Sequence, residues 1–143
     1  VQKPRVILDS SVVVSGIGWR GGDARKVLIL LAARGFQSFR TPWLTEEWTE
    51  AVQYVAENAT TWKNRNWANW LDWLKRASKF HESVPVRKTV RRDPNDDPVV
   101  MSAVAAHAAF IVTTDGDLLS LGKPYGVACV TPRVFLSAML KQN

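Results

Sequence analysis

The chain has 143 residues, enough for one domain with a sizeable buried core. With 46% hydrophobic and 22% charged residues it has the balance of an ordinary globular protein, which excludes a disordered or low-complexity chain. A net charge of +6 favours polyanionic partners, a single cysteine (Cys129) excludes an internal disulfide and a cysteine zinc cluster, and no apolar run approaches the ~20 residues of a membrane span.

Taken along the chain, the run RVILDSSVVVSG (Arg5 to Gly16) reads as a buried strand carrying a carboxylate, Asp9, in its middle, with RVILD as its strand-forming part. GWRGGD is a loop; Asp23 is an N-cap for ARKVLILLAAR, and Gly35 stops that helix. FQSFR is a second strand. Thr41-Pro42 opens a helix to about Asn58, with Thr41 as cap and Pro42 in the first turn. Residues 61–80 are expected to be helical, since Trp67, Trp70, Leu71 and Leu74 fall on one face. HESVPVRK is a short edge strand or link. RRDPNDDP is a loop, and Asp97-Pro98 starts a helix to about Ala109. FIVTT is a strand, DGDLLSLG a turn with a short helix, VACVT a strand and PRVFLSAMLKQ a last helix. Lys3 and Arg5 ahead of an apolar run have the layout of a signal peptide, but Asp9 interrupts it too early, so the expected setting is cytoplasmic.

Strands alternating with helices predict βαβ units and a parallel sheet within a single domain, and open sheets of this kind place their sites at the carboxyl ends of the strands. Of the 13 acidic residues, Asp9, Glu46, Glu47, Asp96, Asp97, Asp115 and Asp117 lie at or near these strand-to-helix junctions. Like charges about 4 Å apart repel by roughly 4 kcal/mol at an effective dielectric near 20. A converging cluster therefore takes up protons or holds cations. Oxygen donors without cysteine or a nearby histidine suit magnesium or manganese, one or two ions, and a metal-bound water is a nucleophile for a phosphodiester. Each acid also fits a plain structural role: a strand-end turn for Asp9, an N-cap for Asp97, a turn acid and a helix cap for Asp115 and Asp117, and first-turn dipole partners for Glu46 and Glu47. His107, ten residues past Asp97, is about 15 Å away along a helix and reads as a structural histidine.

VILDSSVVVSG resembles the opening strand of PIN-domain nucleases, and TPWLTEEWTEAV resembles their second acidic element. DPNDDPVVMSAVAAHAAFIVTTDGDLLSL resembles the third and fourth elements. VTPRVFLSAML resembles the closing strand and helix of the branch that serves as toxins of toxin–antitoxin pairs, the VapC-like ribonucleases. The resemblance implies an α/β fold with a central parallel sheet of four to five strands and helices on both faces. It implies an endoribonuclease using Mg2+ or Mn2+, with Asp9, Glu47, Asp97 and Asp115 as the core acids and Asp117 as an accessory metal ligand. Glu47 is preferred to Glu46 because it directly precedes a large apolar residue, Trp48. Thr113 matches a site threonine that orients a carboxylate or water. Ser11 stands where the family usually has Asn, which leaves a catalytically weak or inactive RNA-binding or protein-interaction module as the alternative. A protein antitoxin and a homodimer are the further partners implied.

Residues 61–92 hold four of the seven tryptophans and nine of the 19 Lys and Arg, a mixture suited to unpaired bases and phosphates. Trp67 and Trp70 fall on the core-facing stripe, whereas Trp62 and Trp73 fall off it and are candidates for RNA or protein contact. Arg91 and Arg92, directly before the acidic DPNDD, are expected to grip the RNA backbone. A phosphatase with Asp9 as covalent nucleophile is disfavoured because Ser11 occupies the position of the second Asp such enzymes use.

Overall fold

In a computed structural model the described residues are 2–59, 65–82, 95 and 97–141. Five parallel strands form one sheet: β1 (Arg5–Leu8), β2 (Gln37–Arg40), β3 (Ser78–Phe80), β4 (Phe110–Val112) and β5 (Ala128–Val130), in the order β3-β2-β1-β4-β5. The helices are α1 (Ser10–Gly18), α2 (Asp23–Ala32), α3 (Pro42–Asn58), α4 (Trp67–Ala77), α5 (Pro98–Ala105), α6 (Gly116–Ser120) and α7 (Pro132–Leu140). Val6, Ile7 and Leu8 are consecutive and all fully buried, so β1 is covered on both faces. The expected α/β architecture is therefore the observed one.

The run from Arg5 to Gly16 is not one strand. β1 pairs with β4 only as far as Leu8–Val112, and the chain then turns into α1, with Asp9 at its N-cap in an extended conformation. No ladder partner extends further, so the backbone groups of the serine–valine run are met inside a helix, and the backbone carbonyl of Asp9 accepts from Val12 and Val13. Burial of Val12, Val13 and Ile17 outweighs the strand preference of β-branched residues. Gly16 lets α2 approach: a Cβ there would lie 2.6 Å from Leu28 Cδ1 and 3.1 Å from the carbonyl oxygen of Ala24.

Four boundaries differ from expectation. Asp23 is the first residue of α2 rather than its cap, which is Gly22. That helix ends with Arg34, not Gly35, in the left-handed region at φ 61°; Gly35 N–H then donates to Leu30 and Arg34 N–H to Leu31. The same closure ends α5 at Ala105 instead of Ala109, with His107 at φ 53° and exposed in the turn rather than on an apolar helix. Finally, α4 stops at Ala77, and residues 78–80, predicted helical, form the edge strand β3. There Ser78 pairs in register with Ser38, and their hydroxyls lie 2.7 Å apart in the interior. Residues 61–64 and most of the expected HESVPVRK strand lie outside the described residues.

Two buried contacts tie the helices to the sheet edge. The indole Nε1–H of Trp48, fully buried on α3, donates to the carbonyl of Leu8 at 2.8 Å, where β1 has run out of ladder. Thr41, the N-cap of α3, meets the Ser102 hydroxyl of α5 at 2.8 Å. Trp48→Phe keeps the aromatic packing but orphans the Leu8 carbonyl; an equilibrium denaturant titration is expected to show a loss of about 1–3 kcal/mol.

Candidate active site

β2 and β3 lie on one side of β1, and β4 and β5 on the other, so the strand order reverses between β1 and β4. A crevice opens at such a reversal, beyond the carboxyl ends of the strands. Asp9 leaves the end of β1 and Thr113, Thr114 and Asp115 leave the end of β4. From α3 and α5 come Glu47 and Asp97. Asp9, Glu47, Glu50, Asp97 and Asp115 all line one open cavity of about 860 Å³, together with Ser11, Trp43 and Tyr54.

Asp9 is only 6% exposed, yet it is well supplied with donors. Its Oδ2 accepts from the Ser11 hydroxyl at 2.7 Å and from the Thr113 hydroxyl at 2.8 Å. Each hydroxyl is itself fixed by a backbone donor. Thr114 N–H donates to Ser11 Oγ at 3.1 Å and Asp115 N–H to Thr113 Oγ1 at 3.0 Å. One chain of hydrogen bonds thus crosses the crevice from α1 to the loop after β4. Ser11, one bond shorter than asparagine in reach, still contacts the carboxylate.

The three aspartates share a pattern. Asp9 uses Oδ2 on the two hydroxyls, Asp97 uses Oδ1 to cap α5 through Val99 N–H at 2.8 Å, and Asp115 uses Oδ1 to cap α6 through Asp117 N–H at 2.9 Å. The remaining oxygen of each has no protein donor among the described residues. No polar side-chain atom among them is both sealed from solvent and unpartnered, so these oxygens face the cavity or its water. Capping and ligand binding are compatible here because a carboxylate has two oxygens.

Glu47 makes no side-chain hydrogen bond among the described residues, and its carboxyl is pushed above the ordinary glutamate value. Partial burial is the main cause, followed by the negative charges of Glu50, Asp9, Glu46 and Asp97. Burial pushes the Cys129 thiol up as well, aided by Asp97, which fits an inert core residue.

Not every expected site residue belongs to this cavity. Asp117 is exposed on α6 and meets the site only through its backbone N–H. Trp73 lines two grooves elsewhere, formed with α2. Trp62, Arg91, Arg92 and Asp96 lie outside the described residues. Conversely, Glu50, Trp43 and Tyr54 line the cavity without having been singled out. They occupy the face of α3 that holds Glu47, at positions 43, 47, 50 and 54, a helical spacing visible in the sequence.

Among the described residues, no group of three or more His, Cys, Asp or Glu is arranged to hold a metal ion as it stands. The two hydroxyls on Asp9 stabilise its buried carboxylate from within the protein, beside whatever a cation would add. The donor set nevertheless fits a hard divalent cation. It is all oxygen, and a magnesium ion keeps several waters and binds directly through only one or two carboxylates.

The sequence profile of the family described as PIN domain matches residues 5–117. The fold is similar to that in the crystal structure of PAE2754 from Pyrobaculum aerophilum, with a TM-score of 0.64 at 16% identity over 97% of this chain and 91% of that one. No curated protein matches the sequence.

Two outcomes are expected of the site chemistry. Thr113→Val preserves shape but strips a donor from Asp9 and an acceptor from Asp115 N–H, lowering stability in chemical denaturation by about 1–3 kcal/mol. Glu47→Gln raises the melting temperature of the metal-free protein near neutral pH. The fold disfavours charged Glu47, a penalty that is absent below the usual glutamate range and grows as pH rises through the raised value. The gain should vanish when melting is followed down to about pH 4.

Proposed function

The chain belongs to the PIN domain family, whose members are in general metal-dependent nucleases, and on that premise we propose that it is an endoribonuclease that hydrolyses RNA phosphodiester bonds with Mg2+ or Mn2+. The observation that carries this reading is the convergence of five carboxylates on one cavity while Asp9, Asp97 and Asp115 each keep one oxygen without a donor among the described residues. Asp9 and Asp97 are the principal ligands for the ion, and Asp115 completes the set from the loop after β4. A bound divalent ion supplies Lewis-acid polarisation of the phosphate and lowers the pKa of water.

The protein's own groups do the rest. Ser11 and Thr113 hold the Asp9 carboxylate in one orientation, which preorganises its free oxygen. Glu47, with its raised pKa and no hydrogen-bond partner among the described residues, is placed to orient water or take a proton. Trp43 and Tyr54 are partly to largely exposed at the cavity wall and offer ring faces for unpaired bases. Asp117 acts as a positioning residue through its backbone donor to Asp115 rather than as a direct ligand.

The finer role, a toxin held inactive by a protein antitoxin in the cytoplasm and acting as a homodimer, rests on the resemblance of VTPRVFLSAML to that branch of the family. A second reading, an RNA-binding module that has lost cleavage, is favoured by Ser11 and by the lack of a preformed three-ligand group among the described residues.

The purified chain should cut single-stranded RNA in Mg2+ or Mn2+, and either a chelator or Asp9→Asn should reduce the rate by about a hundredfold or more. Salt-sensitive RNA binding without metal-dependent cleavage would instead select the binding module.

A further inference from the structure

A second set of groups gathers at the far end of α1. Its last carbonyls, those of Gly16 and Ile17, accept from the Arg25 guanidinium, which lies over the Trp70 ring at 4.5 Å from the centroid. This fixes one cation in place. Arg20 and Arg65 join Arg25 around a cavity of about 270 Å³. Neither ion pair among the described residues involves any of the three, since Lys26 pairs with Asp23 and Arg76 with Asp72. Burial first, then the charges of Arg20 and Arg65, lower the pKa of Arg25, and the three cations meet no paired carboxylate among the described residues.

An apolar slot of about 390 Å³ lies alongside and shares Asn66 and Trp70 with the arginine cavity. Its walls include Ile29 from α2 and Trp70 and Trp73 from α4, the two indoles meeting edge to face at 5.8 Å. Two side-chain amides, Asn66 and Asn69, open onto it with no hydrogen-bond partner among the described residues. Asn66 also sits in the left-handed region at φ 53° while serving as the N-cap position of α4, yet its side chain makes no capping bond.

We propose that the slot and the arginine cavity together form an exosite for one nucleotide of single-stranded RNA, separate from the acidic cavity. A backbone phosphate rests on Arg20 and Arg65. The adjoining base enters the slot against Trp70 and Trp73, with the Asn66 and Asn69 amides facing its edge. Cations without counter-charge beside aromatic walls and free amides are the combination single-strand binding uses. A purely apolar partner would leave the arginines unanswered. The nine residues of α1 span about 13 Å between the acidic cavity and the arginines, a distance that a short strand covers. The proposal deepens the nuclease reading by adding a grip on substrate outside the reacting phosphate, but it does not require cleavage to be tested.

The test is binding of a fluorescent oligouridylate of about ten nucleotides, by anisotropy with chelator present, to the wild type and to the double variant Arg20→Glu, Arg65→Glu. Arg25 is left intact because it caps α1, and thermal melting checks that the variant folds; Arg20→Ala with Arg65→Ala serves if charge reversal does not. The variant is expected to bind at least about tenfold more weakly, with the salt dependence of log Kd reduced by about one. Where metal-dependent cleavage is present, cleavage of a dinucleotide too short to reach the arginines should be unchanged. If the wild type binds RNA but cuts nothing, the nuclease reading fails and a weakened double variant still supports the exosite. Equal RNA affinity in wild type and variant overturns the exosite, including where the variant loses an acidic polypeptide instead.

Discussion

The arrangement depends on one buried carboxylate and the two hydroxyls that meet it. Asp9 Oδ2 accepts hydrogen bonds from Ser11, on the helix it starts, and from Thr113, at the end of the neighbouring strand. Each donor is anchored by a backbone N–H from the loop after β4. Without these bonds, a carboxylate following three fully buried apolar residues would be an unpaired buried charge, and the sheet end would be destabilised. With them, the strain of burial becomes orientation: one oxygen is consumed and the other is held toward the cavity. The same hydroxyls fix the separation of β1 and β4 at the point where the strand order reverses, so crevice and carboxylate have a common origin.

The other acids reach that crevice through packing rather than through direct bonds to Asp9. α3 is held to β1 by the Trp48 indole on the Leu8 carbonyl, and α5 is held to α3 by Thr41 and Ser102. Glu47 is the neighbour of Trp48 in sequence, and Asp97 is the cap of α5. The core thus sets how deeply Glu47 is buried and how closely like charges approach it, and both, burial first, raise its carboxyl. A change buried in the core near Trp48 should be felt electrostatically at the cavity.

Much of this was legible in the residues. Short runs alternating with amphipathic segments, β-branched in β1, β4 and β5 and Phe-containing in β2, located those strands, and Thr41-Pro42 and Asp97-Pro98 marked helix starts correctly, as did the last helix opening at Pro132. α1 was hidden because three consecutive valines carry strand preference, and only the absence of a partner strand beyond Leu8 makes them helical. Residues 78–80 were hidden because three residues are too few for a period-two pattern, and their strand depends on Ser38 lying opposite. At the site, Asp9, Glu47, Asp97 and Asp115 stood out by their place at element junctions. Glu50 and Tyr54 did not, because on a helix the face toward a polar cavity has the same spacing as the face toward water. The arginine cluster was illegible for a different reason: Arg20, Arg25 and Arg65 come from three separate segments that only the α1, α2 and α4 packing brings together.

The outer strands of the sheet carry a consequence for association. β3 and β5 are three residues each, and two of the three in β3, Lys79 and Phe80, are exposed, with a charged ammonium among them. Such a rim offers too brief a row of free amides and carbonyls for a neighbouring molecule to continue the ladder, and the lysine disfavours the attempt. Edge-to-edge pairing of two copies through these strands is thereby disfavoured, and a rim this short is a poor template for stacked strands.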